Sequence, residues 1–384
     1  MKHPFRLTVL CAATALALIG CAPSGGDRQA TGALPGAAAQ KPSATVLRKE
    51  IAQGVYELVY SEKQNLLFVA SAGNASDPSV PYQVLVVKPD DLSVVQTIKL
   101  PLRAFSLALD DAGDRLYVGH TGQGSVTVID TRTLEIRDTY TLARMNKRPN
   151  GRESPEYHFR QMVLDTRNQR LYMPGFNDSE SKLFVVNTST GQIEKILPGF
   201  GFTATGIALD ARRDRLYVSN MQGEAIVVDT RANEIVKRFD MRAEQPLNLA
   251  YDEATDRLLA VDQGHPKMRE FQKRGIPNYT SSHDGNRVVV IDLATEKQVA
   301  EMPATGPINL RIDAPRQRLY VTNRLSGEVT VFDSKTYEKL QAVSLPAHPN
   351  TLAVNRQTGD VYVSVKNGED QPKGALESVA RIRF

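Results

Sequence analysis

Two stretches of this chain interleave cations with aromatic rings, the combination that a phosphate and a flat organic face together require. Residues 143–160 carry Arg144, Lys147, Arg148, Arg152 and Arg160 against Glu153 and Glu156, with Tyr157, His158 and Phe159 among them. Residues 264–287 carry Lys267, Arg269, Lys273, Arg274 and Arg287 against Glu270 and Asp284, with Phe271 and Tyr279. Such residues bind rather than make bonds. Guanidinium and ammonium groups neutralise phosphate or carboxylate, and rings stack on planar groups. Two readings stand: an anion-binding rim, or two solvated loops of ordinary charge.

Other chemistry is sparser. Arg311 falls on an apolar strand, where a charge needs a partner or water, so it either binds a ligand or pairs with Glu57 or a neighbouring backbone carbonyl. His120, His158, His265, His283 and His348 match no metal spacing, although a metal or haem site on them is an alternative. Glu57, Asp262 and His348 are the groups a lactonase-like hydrolase would use as base and anion clamp. There is no Gly-rich phosphate loop, Ser nucleophile elbow, CxxC or HExxH motif. A non-enzymatic binding protein without a cofactor is therefore expected. A protein-interaction scaffold in the cell envelope is its alternative.

The first residues are a targeting segment, to be set aside before fold reasoning. Lys2 and Arg6 precede an apolar run over residues 7–19, too short to span a bilayer, and the run ends Leu18-Ile19-Gly20-Cys21. That tetrapeptide resembles the lipobox of bacterial lipoproteins. The resemblance implies cleavage of residues 1–20, acylation of Cys21 and a periplasmic protein held by lipid alone. Ala22 after the cysteine favours the outer membrane in that family. The second cysteine, Cys11, leaves with the signal, so no disulfide is available. Residues 21–44 are rich in Ala, Gly, Pro and Ser and read as a flexible tether. Loss of Lys2 and Arg6 lowers the formal charge from +4 to +2, so global charge selects no partner.

The remainder, residues 45–384, is a repeat. An Asp followed six residues later by Leu recurs at Asp110, Asp165, Asp210, Asp252 and Asp313, most copies reading Arg-Leu-Tyr at the Leu. Ser61 with Leu67 and Asn355 with Val361 keep the spacing in degenerate form, making seven copies. A second alternating strand ends at Asp130, Asn187, Asp229, Asp292 and Asp333, and a Thr/Ser-rich turn and a more polar strand follow. Four short strands per copy, with no helical periodicity, specify an all-β, seven-bladed β-propeller. The last copy lacks its outer strand, and residues 45–52 are an orphan strand that would complete it and close the ring.

The segments Leu-Tyr-Val-Thr-Asn at 319–323, Leu-Tyr-Val-Ser-Asn at 216–220 and Val-Tyr-Val-Ser at 361–364 resemble the YVTN propeller family, in particular its YncE-like members. The resemblance covers roughly residues 45–384 and implies single-stranded DNA as the anionic ligand. Connection lengths place the site. Asp130 to Asp165 spans 35 residues where other copies take 21 to 23, and Leu258 to Asp292 spans 34 where most take 13 to 16. In a propeller both kinds of connection lie on one face. The two basic, aromatic insertions, with Arg311, are thus expected to form one ligand-binding face.

Overall fold

Alternating Val, Ile, Leu and Tyr make each copy four pleated strands, apolar on both faces where the strands are central. The computed structural model describes residues 43–148 and 150–384. The signal, Cys21 and the tether up to residue 42 lie outside the described residues. Blade one is Val55–Ser61, Leu66–Ser71, Tyr82–Val87 and Val94–Leu100, hydrogen-bonded in that order. Five further antiparallel sheets follow the same plan. Blade seven takes its first three strands from His348–Val354, Val361–Lys366 and Glu377–Arg383, and its fourth is Thr45–Ala52. Thr45 pairs with Arg383 and Lys49 with Val379, so the two ends of the folded chain share one sheet.

The turns follow from the Asp and Asn landmarks. Asp130 Oδ1 accepts the N–H groups of Arg132 and Thr133, Asp229 those of Arg231 and Ala232, and Asp333 those of Lys335 and Thr336. The hairpin between the first two strands turns on a left-handed residue just before the Arg-Leu-Tyr positions, at Asn65, Asp114, Gln169, Asp214, Asp256 and Gln317. In blade seven this residue is Gly359, at φ 82°. A bulge between the third and fourth strands recurs in all seven blades and steepens their twist.

The YVTN-like segment is structural. Its Tyr is buried between blades, as at Tyr117, Tyr172, Tyr320 and Tyr362. Its Ser or Thr reaches the next blade: Ser219 Oγ donates to Pro246 O at 2.6 Å, and Thr322 Oγ1 to Asn350 O at 2.7 Å. Its Asn ties its own turn, Asn323 Nδ2 donating to Thr330 Oγ1 at 2.8 Å.

Two features depart from four strands and loops. The innermost strand of blade three is in two pieces, His158–Phe159 and Val163–Asp165, with Arg160 in the break. The blade-five insertion carries an α-helix, Pro266–Gly275, capped by the His265 side chain accepting from Lys267 N–H. Helical periodicity was not expected anywhere in the chain. At ten residues this helix is too short to show it, and its one buried residue is polar, Gln272. The other insertion forms a hairpin of Met145–Lys147 and Glu153–Pro155.

Leu319 is fully buried in the cluster shared by blades five and six. Leu319→Ala should cost about 2–5 kcal/mol in chemical denaturation, the range for a buried leucine. A chain beginning at residue 53 should melt well below one beginning at residue 43 in a circular-dichroism scan, because blade seven loses its outer strand.

Candidate functional site

The two insertions and the regular connections of blades three to seven meet around the channel mouth. They enclose a cavity of about 990 Å³ lined by Arg160, Phe176, Met221, Leu247, Met268, Phe271, Ile308 and Arg324, with Lys267, His265, His348, Glu369 and Asp370 also facing it. Beneath lies an inner chamber of about 270 Å³. Its lining includes Glu57, Gln161, Asn248, Asn309 and Thr351, five of the polar residues that start the innermost strands, together with Tyr56, Phe105, Arg160 and Arg324.

Arg160 connects the two spaces. The break in the innermost strand of blade three lets its side chain cross to blade five, where Nη1 donates to Leu247 O at 3.0 Å. Burial lowers its pKa to about 10, against the opposing field of Glu57 and with the added repulsion of Arg324. It remains a cation at neutral pH. Burial raises the Glu57 carboxyl above its usual range, although Arg311, the Leu107 N–H at 3.0 Å and Arg160 all favour its ionised form. Arg311 lies 3.9 Å from Glu57, so the pairing reading of Arg311 describes its position.

Other cations surround this pair. Arg103 stands 5.2 Å over the Phe105 ring, Lys366 3.9 Å over Tyr56, and the two rings meet edge-on at 4.7 Å. The fields of Arg103 and Arg324 reach both Tyr56 and Lys366. Lys366 pairs with Glu377 at 2.9 Å. No ion pair reaches Arg103, Arg160 or Arg324 among the described residues.

The remaining candidates divide. Arg144, Lys147, Arg148 and Arg152 are exposed on the hairpin, away from the residues lining the cavity. Tyr157 and Phe159 are buried between blades two and three, both against Phe184, so their faces are covered. The aromatic pattern there reflects core packing. His158 stacks on Phe176 at 5.3 Å and donates from Nδ1 to Thr121 O at 3.1 Å. Arg269 lies between Glu244 and Asp284, and Lys273 pairs with Glu270 at 2.9 Å. Arg274 is exposed at the helix end. Phe271 packs on Phe202 at 4.9 Å and lines the cavity, while Tyr279 donates to Glu244 at 2.7 Å. Of the expected site, then, Arg160 and Phe271 come together at the cavity, with Arg311 beside Glu57.

The histidines hold local structure. His120 and His348 donate from Nδ1 to the carbonyls of Arg103 and Arg324 at 3.0 and 2.8 Å, and so hold the backbone of two channel cations. His283 lies 3.3 Å from the buried Asp262, which also pairs with Arg287. Among the described residues no three His, Cys, Asp or Glu side chains gather as a metal site. Asp262 lines neither space, so Glu57, Asp262 and His348 do not converge. Arg103 and Arg324 were missed because they sit in connections of ordinary length, and Lys366 because it ends a strand that reads as an ordinary repeat. Arg324 was within reach, since it immediately follows Tyr-Val-Thr-Asn on the second-to-third-strand connection of blade six.

No protein-family model matches the chain. The chain is 28% identical over 345 residues to proteins of Salmonella typhimurium, Salmonella typhi and Escherichia coli K12, each named "Uncharacterized protein YncE". The alignments cover 88% of this chain and 90% of each relative. Over that span the chain is a YncE-like seven-bladed β-propeller.

Glu244 fastens the helical insertion that walls the cavity. Burial acts to raise its pKa, but the Ser282 N–H and the Tyr279, Ser281 and Ser282 hydroxyls outweigh it and hold the carboxyl at about 2, below the ordinary 4.5. The resulting stability is present above the unfolded value and is lost as pH falls toward 2. Hydrogen exchange over residues 264–287 should therefore rise as pH drops from about 4 to about 2. Glu244→Gln should raise it at neutral pH with the blades still protected.

Proposed function

We propose that this protein is a non-enzymatic binding propeller of the bacterial envelope, held by lipid at Cys21, that takes an anionic ligand at its channel mouth. Single-stranded DNA is the first candidate. One observation carries the reading: Arg160 and Arg324 line both the outer cavity and the inner chamber without ion-pair partners among the described residues, and Arg103 stands beside them over Phe105. A desolvated guanidinium without a counter-charge is a binding group for carboxylate or phosphate. Phe176 and Phe271 supply flat surface beside these cations, and the exposed hairpin cations Arg148 and Arg152 would draw a polyanion toward the face. The envelope assignment rests on the lipobox-like residues 18–21. No helix among the described residues is long and apolar enough to cross a membrane.

The test is binding of oligothymidylate by calorimetry across a salt series. Each phosphate neutralised contributes about −0.7 to the slope of log affinity against log salt. Arg160→Ala with Arg324→Ala should therefore flatten the slope by about 1.4. Arg148→Ala with Arg152→Ala should flatten it less. A parent chain that binds no oligonucleotide at low salt would overturn the nucleic-acid reading and leave the face as a docking surface for an envelope protein.

For the anchor, Cys21→Ser should abolish acyl labelling and move the protein from the membrane to the soluble fraction. Unchanged membrane retention would remove the lipid-anchor claim.

A further inference from the structure

We propose that the channel mouth binds the end of a strand: a terminal phosphate monoester sits on Arg160 and Arg324, with its nucleoside in the outer cavity against Phe176, Met268 and Phe271. This rests on the anionic-ligand reading and goes beyond it, because a site for a strand in passing and a site for a strand end need different shapes and charges.

The shape argument comes from the innermost strands. The cations lie on the propeller axis, where outer cavity and inner chamber meet at Arg160 and Arg324. Two residues further along, those strands present Val59, Ala108, Val163, Ala208, Ala250 and Ala353, with Arg311 the only charge, and Arg311 is already beside Glu57. A phosphodiester continuing inward would meet mainly small apolar side chains there, and a cation already paired with Glu57. A strand lying across the rim would meet its cations on the hairpin and the helix instead, where Arg148 bonds Ser154 and Lys273 pairs with Glu270. A cup with its charges at the base fits an end.

The charge argument concerns density. A phosphate monoester carries nearly two negative charges at neutral pH, a diester one. Arg160 and Arg324 both line the outer cavity and the inner chamber, the field of Arg324 lowers the pKa of Arg160, and Glu57 is engaged by the Leu107 N–H and by Arg311. Two guanidinium groups held together in a partly desolvated site are matched by a dianion with three acceptor oxygens, each guanidinium able to bond two of them. The apolar walls then receive the rest of the nucleotide. Phe271 is fixed against Phe202, and Phe176 against His158, so both rings are positioned before any ligand arrives.

The experiment uses one oligothymidylate in four forms, with a 5′-phosphate, a 3′-phosphate, hydroxyl ends, or closed into a circle, measured by calorimetry with the full folded chain. Thymidine monophosphate serves as competitor. One of the phosphorylated forms should bind roughly tenfold tighter than the hydroxyl-ended strand, the factor expected for one or two added charge-assisted hydrogen bonds. The circle should bind weakest, and the mononucleotide should displace the phosphorylated strand. Arg324→Ala, and Arg160→Lys as the charge-retaining variant with an unchanged melting curve, should remove the preference for a phosphorylated end. A circle that binds as tightly as the phosphorylated strand would overturn end binding while leaving the anionic-ligand reading intact. Thymidine monophosphate binding without any oligonucleotide binding would overturn the strand as the source of the phosphate. No binding by any form at low salt would overturn both readings.

Discussion

The structure depends on the fact that no blade can bury its own apolar surface. Each central strand is apolar on both faces, so a single sheet in water would leave at least one face exposed. The described residues form seven hydrophobic clusters, and each is drawn mainly from two neighbouring blades. Leu116 and Val118 face blade one while Tyr117 between them faces blade three, the two-residue period of a strand shared between two interfaces. Stability is therefore a property of the closed ring, and the ring closes only if the first strand of the folded part joins the last sheet.

Closure shapes the axis. The innermost strands converge, and at the Arg311 level six of the seven carry small or β-branched residues. What remains at their starts is a set of polar groups that bond from blade to blade, as Thr351 Oγ1 does to Tyr56 O at 3.1 Å and Asn248 Nδ2 to Ile308 O. Such bonds fix the spacing of the blades at the channel and leave the mouth lined with amides and hydroxyls. Among the described residues the break at residues 160–162 divides the innermost strand of blade three in two, and it puts a guanidinium into the channel. Arg160 lines both the outer cavity and the inner chamber.

Charge on this face is arranged in two tiers with different physics. The hairpin cations are solvated, and ions screen them over a distance of about 10 Å at moderate salt. The axial cations are partly desolvated and fixed by backbone contacts, His120 and His348 holding the carbonyls of Arg103 and Arg324. Screening weakens them less, so selectivity for an anion would reside there. The helical insertion is the wall of this site, and its bonds to Glu244 and through its own Gln272 make it a fixed wall: Gln272 is buried and donates to Met221 O at 2.9 Å.

Repeats, spacing and turn residues were legible because they are local. Asp-to-Leu spacing, left-handed turn residues and alternating strands are set by contacts within a few positions, and a sevenfold recurrence makes them unmistakable. The orphan strand at residues 45–52 was legible for the same reason, as the missing part of a counted pattern. The face of the site was legible from connection lengths. Its residues were not. Tyr157 and Phe159 read as stacking rings but fill the interface of blades two and three, since an aromatic in a long connection looks the same in sequence whether it faces water or a neighbouring sheet. Arg103 and Arg324 read as ordinary repeat residues, yet Arg324 shares the channel with Arg160 from 164 positions away in the chain and Arg103 stands beside the inner chamber over Phe105. The sequence alone determined the number of blades, the closure and which connections are long. Only the tertiary structure decided which side chains share the channel, because that depends on how seven separate segments converge on one axis, and no local pattern encodes that convergence.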